Sequence, residues 1–108
     1  MNYKQRWSGL LTICRKAGKL AMGLESTKDA VYRGVAAGVL TALDASEKTR
    51  KEAAFYSNRA EIPLVALPFT KAELGEMIGR ASGVLGICDD GFFRKMQTLA
   101  NDEKSIIL

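Results

Sequence analysis

The sequence predicts an α/β domain with helices on both faces of a small sheet. Three observations carry this expectation. The short apolar runs 39–43, 62–67 and 84–88 have the length and composition of buried strands. Segments with apolar residues at helical spacing alternate with them. The 108 residues suffice for one domain with a modest core, and an apolar content of 47% excludes a disordered chain. No repeat, low-complexity tract or linker divides the sequence, so one domain is expected over 1–108, with a tail from about 101.

Trp7, Leu10, Leu11 and Cys14 share one helical face, which predicts a first helix over about 4–17. Gly18 ends it, and Arg15 and Lys16 suit its negative end. Residues 20–22 form a short extended piece. A second helix is expected from Glu25 or Ser26, because Ser26 and Asp29 have the spacing of a capping box. Ala30, Val31 and Val35 are its apolar stripe, and Gly34 or Gly38 ends it. Residues 39–43 read as a buried strand. Ser46 caps a third helix reaching about Arg59, with Ala53, Ala54 and Tyr56 inward and Lys48, Arg50 and Lys51 outward.

Residues 62–67 form the next strand, with Pro63 at its start, where no ladder donor is lost. Thr70-Lys71-Ala72-Glu73 is a capping box opening a short helix through Ile78. A flexible loop over 79–83 leads to the apolar strand 84–88. Asp89 or Asp90 caps the last helix, whose inner face carries Phe92, Phe93, Met96 and Leu99. Beyond Asn101, the residues Ile106, Ile107 and Leu108 are expected to dock on a neighbour or fray.

Much chemistry is excluded by composition. The chain has no histidine, so Ser-His-Asp and Cys-His catalysis and every His-containing metal site are absent. Cys14 and Cys88 lie far apart within apolar runs, as expected of buried, reduced thiols in a reducing cytoplasm. Asp89 and Asp90 lack a third ligand in sequence, and helix capping accounts for them. Neither common glycine-rich nucleotide-binding loop occurs. The N-terminus, Tyr3-Lys4-Gln5-Arg6-Trp7, lacks the apolar core of a signal peptide. No apolar run approaches the ~20 residues that span a bilayer. A cytoplasmic protein without metal, cofactor or membrane partner is expected, and one that is not an enzyme.

The charge balance is 16 basic against 12 acidic residues, a net of +4, which fits a nucleic-acid partner. The most informative stretch runs from residue 20 to 34. A short apolar run meets Gly23, and a helix then opens with small polar residues. Such an opening aims backbone N–H groups and a positive helix end outward, as phosphate or RNA requires. Arg15, Lys16 and Lys19 flank it, and Lys28 and Arg33 follow on the helix.

Several segments, in order across roughly 7–99, resemble the kink-turn RNA-binding ribosomal proteins, the L-seven-Ae and L-thirty-e group, and its small bacterial branch in particular. They are Leu10-Leu11 with Arg15-Lys16-Ala17-Gly18-Lys19, then 23–34, then Asp44-Ala45-Ser46-Glu47-Lys48-Thr49-Arg50-Lys51. Ile62-Pro63, Leu67-Pro68-Phe69-Thr70, Glu73-Leu74-Gly75, Ile78-Gly79 and Asp90-Gly91-Phe92 complete the set. The resemblance implies a three-layer α/β/α sandwich around a mixed sheet of about four strands, no enzymatic activity, and a structured RNA partner, ribosomal RNA or the ribosome first. It implies an RNA site made of Lys16, Lys19, Gly23, Glu25, Ser26, Lys28 and Arg33, together with a second loop of Arg80, Ala81, Ser82, Gly83 and Val84 at the same edge.

The family's opening reads Gly-x-Asn-Glu-x-x-Lys. Aligned without gaps, Gly23 and Arg33-Gly34 match, while Glu25, Ser26 and Asp29 stand at the Asn, Glu and Lys positions. A one-residue shift would match Glu25, Thr27 and Lys28 instead, but its insertion would rotate the apolar stripe by about 100°. In the gapless register an ionised Glu25 accepts hydrogen bonds but lacks the donor of Asn. Ser26 is shorter than Glu, and Asp29 repels phosphate. Weak, salt-sensitive binding follows. Two rival readings keep the fold: a recognition subunit that partners an RNA-modifying enzyme, and a protein-interaction module that has lost RNA binding.

Overall fold

The computed structural model describes residues 2–107, with side chains through 102. Five helices and four strands alternate: α1 Tyr3–Lys16, β1 Leu20–Met22, α2 Leu24–Tyr32, β2 Gly38–Thr41, α3 Glu47–Ala60, β3 Leu64–Ala66, α4 Lys71–Ile78, β4 Val84–Ile87 and α5 Asp90–Ile107. The sheet order is β1-β4-β2-β3. β4 pairs antiparallel with both β1 and β2, and β2 pairs parallel with β3. The sheet is therefore mixed, and its central strands β2 and β4 are buried on both faces.

Alternation along those two strands sorts the core into two layers. Leu40, Ala42, Leu85 and Ile87 join Trp7, Leu11 and Cys14 of α1, Leu74 and Ile78 of α4, and Phe93, Met96 and Leu99 of α5. Val39 and Val84 join Ala30 and Val31 of α2 and Ala53 and Tyr56 of α3. Helices thus cover both faces, which gives the three-layer α/β/α sandwich. Two glycines let the layers close. A Cβ on Gly38 would stand 2.1 Å from Cζ of Phe93, and one on Gly86 would stand 3.1 Å from Cγ2 of Thr27.

Local signals account for most boundaries. α1 is held at its start by a capping box, in which Asn2 Oδ1 accepts from Gln5 N–H at 2.7 Å and Gln5 Oε1 from Asn2 N–H at 3.1 Å. Gly18, at φ 73°, turns the chain out of the helix. Ser46 caps α3 by accepting from the Thr49 N–H at 3.1 Å. Asp89, rather than Asp90, caps α5, since its Oδ2 accepts from Phe92 N–H at 2.8 Å.

Four expectations are corrected. The Ser26–Asp29 capping box does not form, because Gly23 is the N-cap of α2 and the helix has already started at Leu24. Val35 is exposed, because Gly34, at φ 73°, breaks the helical stripe before it. β2 begins at Gly38 and ends at Thr41, leaving Leu43 exposed, and β3 spans only Leu64–Ala66. α5 continues to Ile107 instead of ending near 101, since neither glycine nor proline interrupts it after Gly91. The expected docking or fraying of Ile106, Ile107 and Leu108 lies outside the described residues.

The Thr70 box of α4 is fully formed. Thr70 Oγ1 accepts from Glu73 N–H at 3.1 Å, and Glu73 Oε1 accepts from Thr70 N–H at 2.9 Å. Thr70→Ala is expected to cost about 1 kcal/mol in urea unfolding. The Thr70 backbone N–H holds the Glu73 carboxyl below its ordinary value of 4.5; desolvation opposes it, and Lys4 adds to the lowering. A carboxyl with a depressed folded pKa stabilises above its unfolded pKa and loses that contribution as pH falls through the folded value. The stability that Glu73 contributes should accordingly fade as the pH drops below 4.5, in Thr70→Ala much as in the parent, because alanine keeps the backbone N–H.

Candidate nucleic-acid interface

β1 is an edge strand, and the chain leaves it at Gly23 in a conformation that side chains rarely adopt, φ 94°. The Gly23 N–H donates to Val84 O at 3.0 Å, which ties this turn to the start of β4. The helical ladder of α2 begins with Thr27 N–H donating to Gly23 O at 3.0 Å. No side chain caps the opening, so the N–H groups of Leu24, Glu25 and Ser26 point ahead of the ladder toward whatever meets the helix end.

The loop 79–83 is fixed beside this opening. Gly79, at φ 83°, ends α4 and lies against the Arg15 guanidinium, which donates to Ile78 O. A Cβ on Gly75 would stand 3.2 Å from the Ala81 backbone N, so the loop lies close on α4. Arg80 then reaches across to α2, its Nη2 standing 3.6 Å from where a Gly23 Cβ would be. The two segments singled out in the sequence meet at one edge.

Between them runs a groove of about 530 Å³, bordered by Lys19 and by Leu20, Ala21 and Met22 of the edge strand, by Ser26 and Asp29 of α2 and its C-cap Arg33, and by Arg80 and Cys88. Residues 26, 29, 30 and 33 share a helical face, which turns toward β1 while Thr27 and Val31 pack inward. Lys19, Arg33 and Arg80 are exposed. Asp29 is their acidic counterweight and pairs with Arg33 at 3.4 Å. Both groups of that pair are exposed, so it is weak and readily exchanged for a phosphate. The positive field reaches the groove wall: burial raises the pKa of Cys88, and Lys19 and then Arg33 oppose the rise.

Other expected site residues are dispersed. Glu25 lies exposed on the first turn of α2, and Ala81 is exposed in the loop. Ser82 is buried, its hydroxyl without a partner, so it does not face the groove. Lys16 borders a separate hollow with Thr12, Arg15, Met77 and Ile78. Lys28 points toward α3, its Nζ 5.8 Å from the Tyr32 ring centroid, and borders a hollow with Lys51, Glu52 and Phe55. Arg15, which anchors the Gly79 turn, was read in sequence as a basic residue at a helix end that flanks the α2 opening, not as an anchor of the loop. Nothing in the sequence pointed to Cys88 as groove wall.

Among the described residues, no group of three potential ligands is placed to hold a metal, and no helix is long and apolar enough to cross a membrane. Both cysteines are free thiols. Burial, then Cys88 and Asp89, push the Cys14 thiol up to about 11. Cys14 should therefore resist a thiol reagent at pH 8 in the folded protein and react on unfolding; rapid native reaction of both thiols would contradict this packing.

Comparisons with known proteins agree with this architecture. The family model described as ribosomal protein L7Ae/L30e/S12e/Gadd45 family matches residues 5–97. The RNA-binding protein YlxQ of Enterococcus faecium is 38% identical over 96 residues, covering 89% of this chain and 92% of that protein. The large ribosomal subunit protein eL30 of Aeropyrum pernix is 30% identical over 84 residues, covering 76% of this chain and 84% of its own. A protein of unknown function from Bacillus halodurans superposes with a TM-score of 0.81 at 30% identity, covering 88% of this chain and 96% of its own. The 15.5kD RNA binding protein of Giardia lamblia, at 16% identity and a TM-score of 0.71, covers 95% of this chain and 88% of its own and shares the fold. With a family model spanning most of its length and relatives that match it nearly end to end, the chain belongs to the ribosomal protein L7Ae/L30e/S12e/Gadd45 family.

Proposed function

We propose that the protein is a non-catalytic RNA-binding protein of ribosomal type, which holds a structured RNA at the edge formed by the α2 opening and the loop 79–83. The observation that carries this reading is the approach of Arg80 to Gly23. It joins an uncapped helix N-terminus to a cationic groove. The helix end and the cations Lys19, Arg33 and Arg80 suit a bent phosphate backbone, and structured RNA is recognised largely by shape and backbone. The names of the Enterococcus and Aeropyrum relatives, an RNA-binding protein and a ribosomal subunit protein, support the same partner. Ribosomal RNA in the cytoplasm is the first candidate.

At the base-reading positions, Glu25 supplies acceptors only, and Asp29 engages Arg33. Kink-turn binding in this protein therefore rests on backbone contacts more than on base edges. The test is titration of a consensus kink-turn RNA, and of a straight duplex of the same length, at two salt concentrations. Preference for the kinked RNA with affinity falling steeply in salt is expected. Equal binding of both RNAs, or none at micromolar protein, would overturn this function.

A further inference from the structure

On the α2–α3 face, turned away from the β1 groove, Tyr32 and Phe55 are 58% and 59% exposed, two large rings outside both core clusters. A cation stands over each. Lys28 Nζ lies 5.8 Å from the Tyr32 ring centroid, and Arg59 Cζ lies 5.8 Å from that of Phe55. Lys28, Tyr32, Lys51 and Phe55 border a hollow of about 300 Å³. Lys51 pairs with Glu47 at 3.0 Å, but both are exposed, so a phosphate can take the ammonium over. Glu52 is the acid on the hollow's wall. Tyr56 also lines the hollow; it is 1% exposed, and its hydroxyl has no hydrogen-bond partner among the described residues. Burial, then Glu52 and Tyr32, push that hydroxyl's pKa up to about 12, so it stays a donor in want of an acceptor.

Exposed aromatic planes interleaved with cations match the two parts of a single strand, flat bases and charged phosphates. A double helix keeps its bases stacked inside and offers only the second part. The face also adjoins the groove assigned to RNA. Lys28 and Tyr32 lie one turn apart on α2, about 100° around the helix from Asp29 and Arg33, so a strand leaving the groove at Arg33 meets Tyr32 next. We propose that the α2–α3 face is a second RNA site, which takes a single-stranded segment flanking the structured RNA. Its bases stack on Tyr32 and Phe55, and Lys28, Lys51 and Arg59 meet its phosphates. This site rests on the RNA-binding function proposed above and extends its substrate to a structured RNA with an unpaired flank. Stacking of this kind tolerates any base, so the flank is selected for being single-stranded rather than for its sequence.

The test compares a consensus kink-turn RNA without a tail with the same RNA carrying a tail of about six adenosines, a length one small domain can hold, at either end. A third RNA carries an abasic tail of equal length. The adenosine tail at one end should raise affinity about tenfold or more, and the abasic tail should give less, because it keeps the phosphates and loses the stacking. Phe55→Leu should remove most of the gain while Phe55→Tyr keeps it, since leucine retains apolar bulk without a ring. Phe55 is exposed, so both variants should fold normally. Lys28→Ala should lower the gain and leave the tail-free affinity unchanged. Tail-free binding with no gain from either tail would overturn this site alone and leave the two rings to a protein partner. A gain equal for abasic and adenosine tails, or indifferent to Phe55→Leu, would overturn the stacking. Failure of the tail-free RNA to bind would instead sink the function on which the site rests.

Discussion

Gly38→Ala is expected to destabilise the protein by about 3 kcal/mol, roughly a 12–20 °C fall in melting temperature. The backbone at Gly38 is not left-handed, so the cost comes from space alone. A Cβ there would stand 2.1–2.4 Å from three carbons of the Phe93 ring, against about 3.5–4.0 Å for ordinary carbon contact. Neither partner can yield easily. Gly38 is the first residue of a central strand, with β4 beside it, and Phe93 is buried among the side chains of α1, α4 and α5. Phe93→Leu, combined with Gly38→Ala, should recover part of the loss, because it removes the ring carbons that the methyl meets. Gly9→Ala is the control. Its Cβ would meet nothing within 4 Å on an exposed helix face, and the change should stabilise by about 0.5–1 kcal/mol. Urea unfolding of these variants measures the packing of the sheet against α5. A neutral Gly38→Ala would mean that α5 sits further from β2 than described.

Gly38 also marks the limit of what periodicity shows. A glycine after a helix reads as a stop signal, and its service as a socket for an aromatic ring 55 positions later is a tertiary fact. The elements whose signals are local were legible. The stripe of Trp7, Leu11 and Cys14 and the Thr70–Glu73 box lie where the sequence put them, because a buried face and a cap each depend on residues three or four apart. The Ser26–Asp29 pair has the same spacing and forms no cap. There the Gly23 turn, tied to Val84, had already started the helix. Lys28 and Arg33 looked equivalent in sequence, yet they diverge because the burial of Thr27 and Val31 sets the helix rotation. That rotation sends Arg33 to the groove and Lys28 toward Tyr32. The meeting of residues 23 and 80 was expected only from family resemblance. It depends on β1 and β4 being neighbours, which no local pattern encodes.

The combined variant Lys19→Ala, Arg33→Ala, Arg80→Ala is expected to bind kink-turn RNA about 100-fold more weakly while folding normally. All three side chains are exposed, so their truncation leaves no cavity and no buried unpaired charge. The loss rests on counterion release. Each cation that neutralises a phosphate frees a condensed ion, so removing three should lower the slope of log affinity against log salt by about 2–3. The slope separates this account from a merely structural effect, which would lower affinity equally at all salt concentrations. Asp29→Ala should act in the opposite sense. It removes a negative charge from the groove and frees Arg33 from its 3.4 Å partner, so affinity should rise by a few-fold, and most at low salt. Lys48→Ala, on the outward face of α3, should change neither affinity nor slope. Lys28→Ala is the discriminating single variant, because its ammonium is turned away from the groove toward the Tyr32 ring. If it weakened binding more than Arg80→Ala, the RNA would be crossing the α2–α3 face, and the groove beside β1 would lose its assignment.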